Sequence, residues 1–161
     1  MFKTGDLVVY PAQGVGVIEA IEEREVVNKK QLFYIIRILN NSMKIMIPTN
    51  SVESVGLREV ILEEEIPKVY EILKDKDVTV DKQTWNKRYK EYLNKIKTGS
   101  IFEIARVLRD LFILKGDKDL SFGERKMMDT AKNLLIKEIS IASNSEEAEI
   151  EQELKMLFAV Q

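Results

Sequence analysis

The sequence predicts an α+β chain segregated by domain: a small SH3- or Tudor-like β-barrel over residues 1–58, then an all-α bundle of about five helices over 59–161. Three observations predict it. Short β-branched or apolar runs, spaced roughly ten residues apart and punctuated by Pro, Gly and Asn, fill the opening third, as in small all-β domains. Beyond residue 62 the apolar period shifts from that of strands to the 3.6 residues of helices. The later part also carries two Ser-x-x-Glu capping boxes, Ser100–Glu103 and Ser121–Glu124, each of which marks a helix start.

Leu7-Val8-Val9-Tyr10 opens the strand series. Pro11 to Gly14 is a turn, in which Pro fixes φ and Gly accepts positive φ. A strand over 15–25 follows; its alternation is imperfect, and Gly16 suits a bulge or bend. Asn28-Lys29 turns the chain into the strongest strand, Gln31 to Leu39. Asn40-Asn41 is expected to be a two-residue hairpin turn, because Asn tolerates the left-handed region. A strand from Met43 ends at Pro48, and it is either core or an exposed edge able to extend a partner's sheet. The domain boundary falls near Ser54–Leu62, without a Pro/Gly/Ser-rich linker.

The first helix spans Glu63–Lys74, with Ile66, Val69, Tyr70 and Leu73 on one face. A helix beginning near Trp85 comes next. Ser100 starts a third that stops at Lys115-Gly116-Asp117, and Ser121 starts a fourth reaching about Ile139. Asn144 or Ser145 opens the last, with Ile150, Leu154, Leu157 and Phe158 on one side. Acidic runs at Glu63–Glu65 and 146–153 favour the dipoles of the helices they begin and need no further role.

Composition excludes several function classes. The chain has no His and no Cys, so it lacks an imidazole base, the common zinc sites and disulfides. Neither a Gly-rich phosphate loop nor an acidic metal loop is visible. A carboxylate-based hydrolase is the enzyme class left, and a non-enzyme without cofactor or metal is the expectation. No apolar run is long enough to span a bilayer and no signal peptide is evident, so a cytoplasmic protein is expected.

Net charge is −2, but it is strongly segregated. Residues 82–97 carry six Lys/Arg (82, 87, 88, 90, 95 and 97) against the single acid Glu91, whereas 138–161 is net −5. That basic helix also holds the only tryptophan. Cations that hold phosphate beside a flat ring that stacks or wedges at a base step suit nucleic acid. At 100° per residue Trp85 shares a face with Tyr89, Tyr92, Leu93 and Ile96, and Lys87, Arg88, Lys90, Lys95 and Lys97 take the opposite arc. Two readings of Trp85 stand at this point: a core residue, or a ring that overhangs the end of the bundle from the first turn of its helix. The cationic arc is either a solvated face or a phosphate-binding one, and the scarcity of acids favours the second. Arg125 and Lys126 oppose the dipole of their own helix start, which suits a phosphate or acidic partner.

Gly5 to Gly16, Ile45-Met-Ile-Pro48, Ser54 to Arg58, Thr84-Trp-Asn-Lys-Arg-Tyr89 and Leu120 to Met127 occur in order along nearly the whole chain. As a set they resemble the bacterial CarD/CdnL transcription regulators, in the CdnL branch above all. The resemblance implies a Tudor-like domain that binds the RNA polymerase β subunit, and a helical domain that contacts promoter DNA upstream of the melted region. It also implies that Trp85 wedges into the minor groove at the bubble's upstream edge, with Lys87 and Arg88 as the basic pair beside it. Polymerase contacts map onto Ile36, Met46 and Pro48, with Arg24 as a charged contact. Some relatives carry Arg where this chain has Met46, so the contact here would be more apolar. The expected DNA-facing set is Trp85, Lys87, Arg88, Lys90, Lys95, Lys97, Arg125 and Lys126, in a nucleoid-associated monomer. The alternative is a protein-protein adaptor without direct DNA contact, whose helical domain binds an acidic protein.

Overall fold

The computed structural model describes residues 1–78, 84–117 and 119–159. The chain divides into two compact units, Met1–Val60 and Ile61–Gln161. The first unit contains β1 (Leu7–Tyr10), β2 (Gly14–Val26), β3 (Lys29–Ile38), β4 (Lys44–Pro48), the short helix α1 (Val52–Val55) and β5 (Arg58–Glu59). All pairings are antiparallel, and the strand order is β4-β3-β2-β1-β5.

A bulge lies between Ile18 and Ala20 of β2, leaving Glu19 as the extra residue. It resets the alternation, so Ile18 and Ile21, three apart, both face inward opposite Ile36 and Tyr34. This explains the imperfect sequence pattern and moves the bulge from Gly16, where the sequence suggested it. Gly16 serves close approach instead: a Cβ there would lie 2.7 Å from Ile36 Cγ2. The core is Val8, Ile18, Tyr34, Ile36, Ile38, Ile47 and Leu57. Phe2 closes one end, its ring edge-on to Tyr34 at 5.9 Å and its amide donating to the Tyr34 hydroxyl at 3.1 Å.

The tight hairpin turn is not Asn40-Asn41. Those residues lie in a longer β3–β4 connection whose left-handed residue is Ser42, at φ 59°. The two-residue turn is Val27-Asn28, between the paired residues Val26 and Lys29, with φ of 49° and 63°. Both positive φ values suit the right-handed strand twist, but a β-branched residue is strained there. Val27 is also 88% exposed, so packing gives no compensation. Val27→Asn is expected to stabilise the protein by about 1 kcal/mol, read as a rise in the urea midpoint at unchanged slope.

The second unit holds α2 (Ile66–Lys74), α3 (Trp85–Lys97), α4 (Ile101–Asp117), α5 (Phe122–Ser143) and α6 (Glu147–Ala159). α4 is the central helix and packs on α2, α3 and α5; α6 lies against α5 and α2. Ala105, Val107, Leu108 and Leu111 of α4 are wholly buried, as are Val69, Ala131, Leu135 and Ile139. Phe112 and Phe158 stack at 4.2 Å between centroids. At the start of this unit the Ile61 amide donates to the buried Glu138 carboxylate at 2.9 Å.

Helix ends differ from the sequence pattern in three places. α4 continues through Gly116 to Asp117. Asn144 does not open α6; it closes α5 in the left-handed conformation, and α6 starts at Glu147. The first capping box forms only by half: Ser100 accepts from the Glu103 amide, while the Glu103 carboxylate pairs with Arg106. The second is complete, with Ser121 and Glu124 capping each other's amides.

Candidate nucleic-acid and partner interfaces

In the sheet, residues opposite one another share a face. Ile36 pairs with Ile18 and Ile45 and is 0% exposed. It is a core residue, so the direct partner contact that the resemblance implied for it is corrected. Met46 pairs with Ile35, and Pro48 with Phe33, on the opposite, outward face. Ile35 and Phe33 are half-buried there and Met46 is 47% exposed. Ile35, not Ile36, is therefore the β3 neighbour of Met46. The choice between adjacent isoleucines turns on pairing register, which a single sequence does not display.

β4 stands at one end of the strand order. Its outward row, Lys44, Met46 and Pro48, continues through Ile35 and Phe33 to Ala20 and Glu22. Arg24 follows Glu22 on β2 and bonds it at 2.9 Å, with both side chains about half exposed. Lys44 and Arg37 lie 3.3 and 3.7 Å from Glu19. This gives an apolar strip of Ile35, Phe33, Met46 and Pro48 rimmed by charged groups. Ile36→Ala is expected to destabilise the first unit by about 3 kcal/mol, read by denaturation. A folded, equally stable variant would contradict the core placement.

In the second unit, Trp85 is the first residue of α3 and is partly exposed. Tyr89 meets its ring edge-on at 5.5 Å and is itself 42% exposed. The Arg88 guanidinium lies over the ring, 5.8 Å from its centroid. The Nε1 edge of the ring meets Gly123 in the first turn of α5, where a Cβ would come within 3.2 Å of Trp85 Nε1. The edge-on pair contributes about 1 kcal/mol, and the desolvated cation–π contact about 2 kcal/mol. Trp85 is thus neither a plain core residue nor an isolated surface ring. It rests on Gly123, Arg88 and Tyr89 while part of it meets solvent.

Arg88 is not on the outer arc. It is 6% exposed, and its Nη2 bonds a Glu124 carboxylate oxygen at 3.0 Å, with Glu124 only 2% exposed. Direct phosphate contact by Arg88 is therefore corrected to a buried ion pair beneath Trp85. The wheel grouped it with the cationic arc, yet at about 100° per residue it stands only about 60° from Trp85, and the burial arc of α3 is centred on Arg88, Tyr92 and Ile96. Tyr92 is 3% exposed; burial raises its phenol pKa well above the usual range, reinforced by Asp110.

The expected cations divide by position. Lys87, Lys90 and Lys97 are exposed on the outer side of α3, and Lys95 is half-buried. Lys82 lies outside the described residues. Arg125 and Lys126 are exposed one and two positions after Glu124, at the start of α5 beside Gly123. The sequence reading missed Phe122, the first residue of α5, which is 74% exposed beside Gly123. Its signal was present: the first residue after an N-cap often projects from the helix start, and an apolar residue there has no helical reason.

Two family models match the chain: the CarD-like/TRCF RID domain over residues 2–61, and the CarD C-terminal domain over residues 68–155. A Bacillus subtilis (strain 168) protein described as a transcription factor, YdeB, is 40% identical over 152 residues, covering 93% of this chain and 97% of its own. CdnLNt from Myxococcus xanthus is 61% identical over 38% of this chain and 86% of its own, with a TM-score of 0.33. The solution structure of the 72-residue N-terminal domain of Myxococcus xanthus CarD is 36% identical over 37% and 79%, with a TM-score of 0.32. Among the described residues no helix is long and apolar enough to cross a membrane. With one family model on each compact unit and a relative matched across nearly its whole length, the chain belongs to the CarD-like family of transcription factors.

Proposed function

We propose that this chain regulates transcription initiation without catalysis, by docking on the RNA polymerase β subunit and stabilising the open promoter complex. The outward strip of Ile35, Phe33, Met46 and Pro48, ending at the β4 edge, is the polymerase-facing surface. A strand at a sheet end offers backbone groups for pairing, and an apolar row beside it gives the pairing specificity. Arg24 and Lys44 rim the strip and steer the approach.

The helical unit places Trp85 against the minor groove at the upstream fork of the melted DNA. The single observation that carries this reading is the partly exposed ring held on Gly123, Arg88 and Tyr89 at the start of a basic helix. Phe122 adds a second exposed apolar group on the same helix turn as Gly123. Arg125 and Lys126 offer phosphate contacts from the helix turn that carries Gly123, which meets the ring. Lys87, Lys90, Lys95 and Lys97 contribute attraction from the outer side of α3. Docking on polymerase raises the local concentration of a weakly binding DNA module. A wedge that fits partly opened DNA better than the closed duplex then shifts the equilibrium by that difference.

The test is permanganate footprinting of a promoter with purified polymerase, with and without this protein. The expected result is more reactive thymines in the melted region, together with a crosslink from a photoreactive group at Trp85 to DNA near its upstream edge. A crosslink to protein alone would favour the adaptor. Unchanged thymine reactivity would overturn the proposal.

A further inference from the structure

We propose that the buried Arg88–Glu124 pair and the side-chain-free position Gly123 form a seat that fixes the orientation of the Trp85 ring, making Arg88, Gly123 and Glu124 positioning residues. Each part of the seat is visible in the geometry. One Glu124 carboxylate oxygen accepts from the Ser121 amide at 3.1 Å, and the other bonds Arg88 Nη2 at 3.0 Å. The carboxylate is thereby held by the start of α5 while it holds a guanidinium projecting from α3. That guanidinium lies over the indole at 5.8 Å. The indole's Nε1 edge meets α5 at Gly123, where a Cβ would sit 3.2 Å from Nε1 and 3.3 Å from Cζ2. Tyr89, one turn along α3, closes the remaining side edge-on.

Two features argue that this arrangement serves the ring rather than the bundle alone. A buried ion pair is a poor source of net stability compared with apolar packing, because both charges lose their hydration. It does give direction: the planar guanidinium is fixed by its carboxylate and presents one face to the ring. Gly123, in turn, stands one residue inside the helix N-terminus, where alanine would favour the helix more. Its backbone is helical, with no positive φ to require glycine. What a side chain would encounter there is the tryptophan.

A side chain at a helix start chooses among two or three staggered wells. If the ring is released from its seat, the fraction in the presenting orientation falls about two- to threefold, and apparent affinity for the opened DNA falls by the same factor. The functional half of this inference rests on the DNA-wedge reading; the seat itself does not.

The experiment uses the full-length protein, in which Trp85 is the sole tryptophan and therefore the sole indole emitter. Gly123→Ala and Arg88→Lys are compared with the parent by time-resolved tryptophan anisotropy, acrylamide quenching, thermal melting and open-complex lifetime on polymerase. Gly123→Ala alters neither charge nor hydrogen bonding, and its gain in helix propensity offsets part of the ring contacts it costs, so the variant should remain folded. Arg88→Lys keeps a cation opposite Glu124 and removes the planar group over the ring. Both variants are expected to loosen or re-orient the ring and to shorten the lifetime about two- to threefold, with polymerase binding unchanged. Folded variants with parental anisotropy and quenching would overturn the seat. A loosened ring with an unchanged lifetime would overturn its functional role, provided Trp85→Ala shortens that lifetime. If Trp85→Ala also leaves it unchanged, the wedge reading fails and the seat stands as a structural feature.

Discussion

Replacing Trp85 with alanine is expected to shorten the lifetime of the open promoter complex about tenfold, while the protein stays folded and still binds polymerase. The magnitude comes from the ring's own physics. Contact between an aromatic side chain and a base is worth about 1–3 kcal/mol on truncation, and about 1.4 kcal/mol is a tenfold change in an equilibrium. The fold should tolerate the loss because Trp85 is only partly buried and stands at a helix terminus. Arg88 loses its ring contact but keeps Glu124. Trp85→Phe should fall between the two, since it retains a flat apolar group of smaller area. The measurement is the decay of open complexes after heparin challenge. A folded Trp85→Ala protein with parental decay would sink the wedge assignment.

The second large effect is expected at the sheet. Met46→Asp should weaken binding to the polymerase β subunit by a hundredfold or more, about 3 kcal/mol. The carboxylate would enter an apolar strip between Ile35 and Pro48, next to strand β4's own edge, and would lose hydration on docking without a partner. In the free protein the same substitution costs little, because Met46 faces outward and is 47% exposed. Pull-down of the β subunit together with a thermal melt separates the two effects. Retained binding by Met46→Asp would refute the polymerase-facing assignment. Ile36→Ala gives the contrasting pattern: lost stability, with any loss of binding following the loss of fold.

Much of the architecture was legible because local and global preferences agree. The β-branched runs became β1 to β4, the 3.6-residue periods became helices, and Ser121–Glu124 formed the box its residue types specify. The misreadings share one origin, which is that pairing and burial are non-local. Val27-Asn28 makes the tight β2–β3 turn because the register that pairs Val26 with Lys29 leaves only those two residues between the strands, whereas Asn40-Asn41 lie in the longer β3–β4 connection. Ile36 and Ile35 are indistinguishable by type, and only their partners Ile18 and Met46 tell inward from outward. Arg88 reads as one more surface cation until Glu124, 36 residues away, is seen beside it. β5 is two residues long, too short to give any period. The candidate site was legible in its central ring and invisible in its support.

The shared carboxylate of Glu124 has a kinetic consequence. Because the same side chain caps the first turn of α5 and holds Arg88 under the indole, fraying of that turn and release of the ring are one event. Local opening there should appear in amide hydrogen exchange as correlated loss of protection at Ser121 and Glu124, together with the early amides of α3. Lengthening the lifetime of the closed form, for instance by a stronger cap, would slow both. Under the proposed DNA contact, the rate of release would then be set partly by the breathing of a helix end rather than by the ring's contact alone.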